Sequence, residues 1–473
     1  MLIAPFALLL ALSDTPATVA DAPTTPVAAV TLTAPTSSAA DADAEAAAQG
    51  DAKKPKKAKE AKPAKGAKAG SDGLRFVWGD HPSIRAGKWM KLDFGLKIQE
   101  DKMYPGDDPV PFDDLILKRA RVGVDGELFK VIQFSVEREL TTSNNVSIYA
   151  ESTKTPWRDV FGEVKIADGL QIRGGRFKIP FSRDQLDGEA SNDFVNRSLG
   201  GDSLAPGRDT GGMVHGRFFK RGLAYSVGVF EHDGDNSQAN KIAGGDRTTA
   251  VRLEGTPLRK IKALNLDQLE VGADFASTDV SDASKLPNGL RGRTVVSQYT
   301  FFAPVFVKGT RRRYGADVEW SKRQFGARAE LMQVTDQRTD QGLRGGTLND
   351  GVYHAWYASG AWVLTGEKSE KGLAPKHPLF KGGFGAVQLA GRYERMWFDS
   401  KATGEPAFSN SRSEVILPNG DKVLTLGVNW YPNRWVKLQL NGIHEEIQDT
   451  GRTPLLTGGT KFWSSVVRFQ LAL

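Results

Sequence analysis

The sequence predicts an all-β fold: a 16-stranded antiparallel transmembrane β-barrel with a disordered N-terminal tether. From Lys88 onward, apolar and polar residues alternate with a period of two in one segment after another. Short and long polar connections follow each other between those segments, as in transmembrane barrels. No segment after the N-terminus has the roughly 18 consecutive apolar residues of a membrane helix. Strands are therefore the elements expected to cross a bilayer.

The N-terminal segment, residues 1–22, predicts a signal peptide. Residues 2–12 are apolar, and small residues up to Ala20 or Ala22 provide a cleavage site. A basic region before the apolar stretch is missing, and a short buried helix is the alternative interpretation.

Residues 23–73 predict a disordered linker. The segment is rich in Ala, Pro, Thr and Ser and then reads KKPKKAKEAKPAKGAK, with eight lysines and no aromatic residue. Such a composition cannot bury a core. We expect a solvated tether in the periplasm and no nucleic-acid partner. The alternative is that its lysines contact an anionic cell-wall polymer.

Residues 74–473 predict the barrel. Its one-sided apolar segments would need a second layer in a water-soluble fold, and no helical segment supplies one. Closure into a barrel with an apolar exterior and a wet interior satisfies them. Representative apolar sets begin at Met90, Leu269, Tyr314, Val387, Leu424 and Val436.

The connections support an even strand count. Five are tight and are predicted around 129–131, 167–169, 220–222, 321–323 and 432–434. A strand at 294–302, TVVSQYTFF, would give seventeen strands, whereas bacterial single-chain barrels have an even number. Assigning 279–308 to one outer loop gives sixteen. The other long loops are 104–113, 141–156, 179–207, 233–246, 335–351, 399–421 and 448–459.

Basic residues mark the predicted wet face. In LKRARVGVDGEL, residues 117–128, Arg119 and Arg121 alternate with apolar residues and should point into the lumen. Rings of Arg or Lys in a pore select anions. The alternative is that these cations pair with lumen acids such as Glu163, Asp317 and Glu394. The predicted pore-lining and anion-binding residues are Arg119, Arg121, Arg173, Lys178, Arg183, Arg208, Arg217, Arg252, Arg311, Arg313, Arg328 and Arg392.

Signals of catalysis are weak. The six histidines are scattered without metal-ligand spacing, and there is no cysteine to ligate a metal. No Ser/His/acid set stands out. We predict no enzyme activity, no catalytic residue, no metal and no other cofactor, although an outer-membrane hydrolase is a third hypothesis.

Several stretches resemble the phosphate-selective porin O and P family of Gram-negative outer membranes. They occur in the family's order between residues 85 and 473. Besides LKRARVGVDGEL, they are WRDVFGEVK at Trp157, RGGRFKIPFSRDQL at Arg173, NRSLGGDSLAPGRDTGGMVHG at Asn196, YSVGVFEHDG at Tyr225, GTRRRYGADVEW at Gly309, WYASGAWVLTGE at Trp356 and LGVNWYPNRW at Leu426.

The resemblance implies an outer-membrane homotrimer that passes phosphate or other small anions through a basic constriction. It also implies that the long third loop, 179–207, folds inward, and it matches Arg119, Arg121 and Lys178. The chain departs from the family's phosphate-specialised pattern in IQFSVERE, residues 132–139, which places glutamates and no lysine on the lumen face. The degree of phosphate selectivity therefore stays open. The alternatives are a general low-selectivity diffusion porin and a barrel that anchors the lysine-rich tether.

Overall fold

The computed structural model describes most of the chain after Gly73. The described residues are 73–79, 81–107, 115–141, 155–219, 222–237, 247–261, 266–282, 287–369, 372–400, 411–449 and 459–473. The predicted signal peptide, 1–22, and all of the predicted linker except Gly73 lie outside the described residues.

The described residues form twenty β-strands and two short α-helices. No helix among them is long and apolar enough to cross a membrane. The helices are α1 (Arg183–Leu186) and α2 (Leu199–Ser203). The strands are β1 (Leu74–Trp78), β2 (Pro82–Ala86), β3 (Met90–Tyr104), β4 (Leu115–Leu128), β5 (Ile132–Glu139), β6 (Trp157–Ala167), β7 (Leu170–Lys178), β8 (Arg208–Phe218), β9 (Leu223–Phe230), β10 (Thr248–Gly255), β11 (Glu270–Val280), β12 (Gly292–Arg293), β13 (Thr300–Phe302), β14 (Gly309–Lys322), β15 (Phe325–Arg338), β16 (Leu348–Val363), β17 (Ala386–Ser400), β18 (Asn419–Tyr431), β19 (Val436–Ile447) and β20 (Lys461–Ala472).

Sixteen of these strands close into an antiparallel barrel, which confirms the predicted fold. Strands β3 to β11 and β14 to β20 each pair with the next one in this order. The last strand then pairs with the first, from Ser465 opposite Tyr104 to Ala472 opposite Lys97. Closure leaves no unpaired edge in the ring, as a membrane span requires.

The connections alternate between the two ends of the barrel. We call the end with tight connections the turn end and the other the loop end. At the turn end, β4 and β5 are joined through Phe129 and Lys130, both in the left-handed region with φ of 55° and 60°. Two successive residues of this kind give a turn whose twist matches that of a β-hairpin.

Strands β1 and β2 add a hairpin that the sequence analysis did not separate from the barrel. β2 pairs with β3 from Ser83 opposite Asp93 to Ala86 opposite Met90. It thus occupies the part of β3 that β20 does not reach, and β1 pairs with its other edge. Because Met90 lies opposite Leu128, next to a tight turn, this hairpin is at the turn end.

Side chains alternate between an outer and an inner surface along each strand. On β18, Leu424, Leu426 and Val428 are exposed on the outside, whereas Thr425 and Asn429 are buried on the inside. A polar inner row facing an apolar outer row is the pattern of a barrel in lipid.

Two loops fold into the barrel at the loop end. The third long loop, 179–207, buries Ile179, Phe181 and Leu204 completely. The β11–β14 connection also inserts, and Phe302 stacks on Phe398 of β17 with ring centroids 4.1 Å apart. The segment 294–302 is buried inside the barrel, and its apolar residues therefore resemble a strand in the sequence. Only its last three residues form a strand, β13, which pairs with β12 in a small separate sheet.

Candidate functional site: a basic channel

A channel cavity of about 470 Å³ lies against the inner faces of β3 to β10 and the segment after α1. A second cavity of about 600 Å³ reaches the turn after β6 and shares Arg173, His215 and Arg217 with the first. The charged lining of the first cavity is predominantly basic. It comprises Lys97, Arg121, Arg173, Lys178, Arg208, Arg217 and Arg252 against Glu137, Asp159, Glu189 and Glu254.

Arg119 and Arg121 both point inward, as their alternation in the sequence predicts. They meet a carboxylate that the third long loop inserts between them. Glu189 Oε2 lies 2.5 Å from an Nη1 of Arg121 and 3.3 Å from Nε of Arg119. Arg121 also donates to Glu139 at 2.6 Å. The structure therefore places these two cations in an ion-pair network with the loop, where the sequence predicted open water.

The charge on Glu189 is stabilised by this network. Burial alone would raise the pKa of Glu189, but Arg119 and Arg121 outweigh burial and hold that pKa well below its usual range. The loop carboxylate is thus an anion held between two guanidinium groups at the edge of the channel.

Lys178 and Arg183 fix the third long loop to the wall. The Lys178 ammonium donates to the carbonyl oxygens of Gln185, Leu186 and Asp187 at 2.6, 3.0 and 2.8 Å. These carbonyls belong to the end of α1, where a cation is favoured. Arg183 reaches the opposite wall and pairs with Asp317, Glu319 and Glu270.

Three arginines that line the cavity differ in whether a carboxylate neutralises their charge: Arg173, Arg208 and Arg217. Arg173 pairs with Glu163 at 2.6 Å, and Arg208 pairs with Asp159 at 2.8 Å. Arg217 is exposed to the channel, and its guanidinium has no hydrogen bond or ion pair to any residue that the structure describes. It is the lining cation with the most capacity left for a solute.

Arg252, Arg311 and Arg313 are buried and belong to two separate groups of ion pairs. Arg252 pairs with Asp274 at 2.7 Å and Asp317 at 2.6 Å at the edge of the cavity. Arg311 and Arg313 face inward as predicted, but both are 0% exposed beneath the inserted loops. They pair with acids, as the alternative interpretation of the lumen arginines expected, and they do not line the described channel.

Arg328 and Arg392 also carry loop contacts. Arg328 lies between Glu319 at 3.1 Å and Asp187 at 3.3 Å. Arg392 pairs with Glu394 at 2.8 Å and donates to two loop carbonyls, those of Asn196 and Arg197, at 3.1 Å each. Their main contacts hold the third long loop in place.

Lys97 is a lining residue that the sequence analysis missed. Its position was available from the pattern, because it alternates with apolar residues of β3 in the same way as Arg121 does on β4, directly opposite it. It lies 3.5 Å from Glu137.

A closed sixteen-stranded barrel, apolar outside and with loops folded into a charged lumen, defines an outer-membrane porin. Residues 93–472 match the family model of the phosphate-selective porins O and P. The chain belongs to this family, as the resemblance in the sequence indicated, and its location is the Gram-negative outer membrane. Family and fold are those of a channel rather than an enzyme.

Solved structures show the same fold at low sequence identity. The trimer form of in-vitro folded OmpT, an outer membrane protein of Vibrio cholerae, is 12% identical, with a TM-score of 0.51 over 81% of this chain and 100% of that chain. A loop L8 deletion mutant of OmpT is 12% identical, with a TM-score of 0.50 over 81% and 99%. No curated protein sequence matches the chain.

Proposed function

We propose that this porin passes small anions, including phosphate and related oxyanions, in preference to cations. The observation that carries the proposal is the cavity lining, with seven basic against four acidic side chains. A pore lined by Arg and Lys favours anions. The trimer form of V. cholerae OmpT supports the further proposal that the chain assembles as a homotrimer.

The ion pairs set how strong this preference is. Guanidinium groups offer donor pairs that match the oxygens of phosphate. Most of the arginines that line the cavity already donate hydrogen bonds to protein carboxylates. Part of the positive charge of the lining is therefore neutralised before a solute enters. We therefore infer a moderate anion preference that decreases as salt screens the lumen. A general low-selectivity diffusion porin is the competing function.

Arg217 gives a direct test of the anion preference. Replacing it with glutamine removes an unpaired charge a few ångströms from the ion path, which should lower the anion-to-cation permeability ratio about two- to fivefold. The ratio is measured from the zero-current potential of single channels in a salt gradient. Arg312→Gln is the matched control, because Arg312 lies on the outer surface of β14 and is exposed there.

Phosphate itself distinguishes a binding site from a general pore. Stepwise addition of phosphate to chloride should give saturable block of the single-channel current if the lining binds oxyanions. Cation preference of the unmodified channel would overturn the proposal. Unchanged current in phosphate, together with an anion preference, would leave only the general diffusion porin.

A second proposed function concerns the lysine-rich segment. Strand β1 places Gly73 at the turn end, which faces the periplasm in barrels of this kind. We propose that the eight lysines between residues 53 and 68 contact an anionic cell-wall polymer from that side.

Deleting residues 23–70 tests the tether. The deletion should leave the single-channel conductance unchanged, because the residues that line the two cavities all lie between Lys97 and Glu254. Co-sedimentation of the purified porin with isolated cell wall should fall sharply, and more so at low salt. Equal co-sedimentation of the two proteins would exclude the tether.

A further inference from the structure

The β1–β2 hairpin has an apolar face that no described residue covers. Leu74, Phe76 and Trp78 alternate along β1 and are 73%, 64% and 58% exposed. The rings of Phe76 and Trp78 lie 6.2 Å apart. Three large exposed apolar side chains on a two-stranded extension indicate a surface that is covered in the membrane-bound protein.

This face continues the outer surface of the barrel. Phe76 lies opposite Ile84 on β2, and Ile84 lies opposite Leu92 on β3. Leu92 belongs to the apolar outer row of β3, which faces lipid in a porin. Since side chains directly opposite each other share one face of a sheet, the three residues form one row across the three strands.

Aromatic and basic residues next to the hairpin fit the membrane–water interface. Trp89 and Phe129, both exposed, stack with ring centroids 6.1 Å apart at the adjoining turns. Lys88 is exposed beside them. Aromatic rings are enriched at the level of lipid headgroups, and cations near them meet the headgroup phosphates.

We propose that the β1–β2 hairpin inserts its Leu74, Phe76 and Trp78 face into the phospholipid leaflet at the turn end of the barrel. The partner is a phospholipid with an anionic headgroup. The hairpin thereby extends the lipid-facing surface by two strands beyond the sixteen-stranded ring.

Charge favours lipid over a second copy of the chain as the occupant. Lys88 is exposed at the turn next to this face. Two hairpins packed face to face would bring like charges of the two copies together, whereas lipid phosphates attract them.

The absence of cysteine allows a site-specific test on the full-length porin. Single variants Phe76→Cys, Val77→Cys and Leu426→Cys are labelled with an environment-sensitive fluorophore and reconstituted into vesicles of phosphatidylethanolamine and phosphatidylglycerol. Lipids brominated on their acyl chains serve as quenchers. Position 426 is the lipid-facing reference, because Leu426 is 52% exposed on the outer wall. Position 77, on the opposite face of β1, is the matched control.

Quenching at position 76 should come within about a factor of two of that at position 426, and position 77 should be quenched far less, since alternate residues of a strand point to opposite faces. Equal, weak quenching at 76 and 77 would overturn the proposal. So would disulfide cross-linking of Phe76→Cys between copies under mild oxidation, which would assign the face to a second copy. Leu74→Cys repeats the test if Phe76→Cys does not fold.

Discussion

Replacing Arg119 and Arg121 together with glutamate should abolish the anion preference of the channel and detach the Glu189 segment of the third long loop from β4. The substitution changes the local charge by four units. It also places two new carboxylates beside Glu189 and Glu139, which Arg121 now binds at 2.5 and 2.6 Å. Like charges at these distances repel, and the loop has no other described contact that neutralises Glu189 as directly.

Two measurements separate the effects of this double substitution. The permeability ratio should shift toward cations about tenfold or more, and the shift should be larger at low salt, where the Debye length exceeds about 10 Å. The single-channel conductance should rise if the Glu189 segment moves away from the ion path. Normal assembly with unchanged selectivity and conductance would show that these arginines do not control the ion path.

Glu189→Gln is the complementary variant. It removes the charge of the loop carboxylate, so that Arg119 loses its described carboxylate partner and Arg121 keeps Glu139. We expect a stronger anion preference and block at lower phosphate concentration than in the unmodified channel. Because glutamine keeps nearly the same shape, a change in the opposite direction would contradict the network described around Glu189.

The strand pattern predicts most of the fold because each barrel strand is one-sided. The lipid-facing row must be apolar and the inner row can be polar, so the period of two holds along most of each barrel strand. Bulges interrupt it at a few places, such as Gln99 and Glu100 of β3. The segment 294–302 is the informative exception. Its buried phenylalanines satisfy a strand pattern, although they pack against Phe398 inside the barrel. In the sequence, only the requirement for an even number of strands assigns this segment to a loop.

The hairpin β1–β2 is a part of the fold that the strand pattern does not place correctly. Leu74, Phe76 and Trp78 alternate with other residues in the sequence, as in a barrel strand. The residues of β1 and β2 alone do not determine whether the strand enters the ring or lies beside it. The decision depends on how far β20 reaches along β3, where Lys97 is the last residue paired with it. That is a property of the closed barrel and not of residues 74–86.

Alternation also predicts which way the arginines point, but not what they meet. Arg311 reaches Asp233, 78 positions away, and Arg183 reaches Asp317, 134 positions away. Such pairs arise from loop insertion, which brings acids and cations together across the lumen. The sequence therefore locates a basic inner surface, whereas the structure separates its channel-lining members from those that hold the loops.

Asp233 is the centre of the most deeply buried of these pairings. Its carboxylate binds Arg311 at 2.6 Å and Arg313, and accepts a hydrogen bond from Thr278 at 2.7 Å. Both arginines and Asp233 are 0% exposed. Burial alone would raise the pKa of Asp233, but Arg313 and Arg311 outweigh burial and hold that pKa below its usual range. The carboxylate is therefore charged at neutral pH and is shared by two buried cations, of which Arg311 also pairs with Asp336.

Asp233→Asn should destabilise the barrel by about 3–5 kcal/mol, since removing one partner leaves buried charge uncompensated. Unfolding by urea in lipid vesicles, followed by tryptophan fluorescence, measures the loss. The matched control is Asp340→Asn, whose carboxylate pairs with Lys308 at 3.0 Å with both side chains partly exposed. That pair should contribute less than about 1 kcal/mol. If the two variants lost equal stability, the buried network would not be what holds the segment after β9 to β14. Selectivity should hardly change in either variant, because Arg311 and Arg313 lie away from the channel lining.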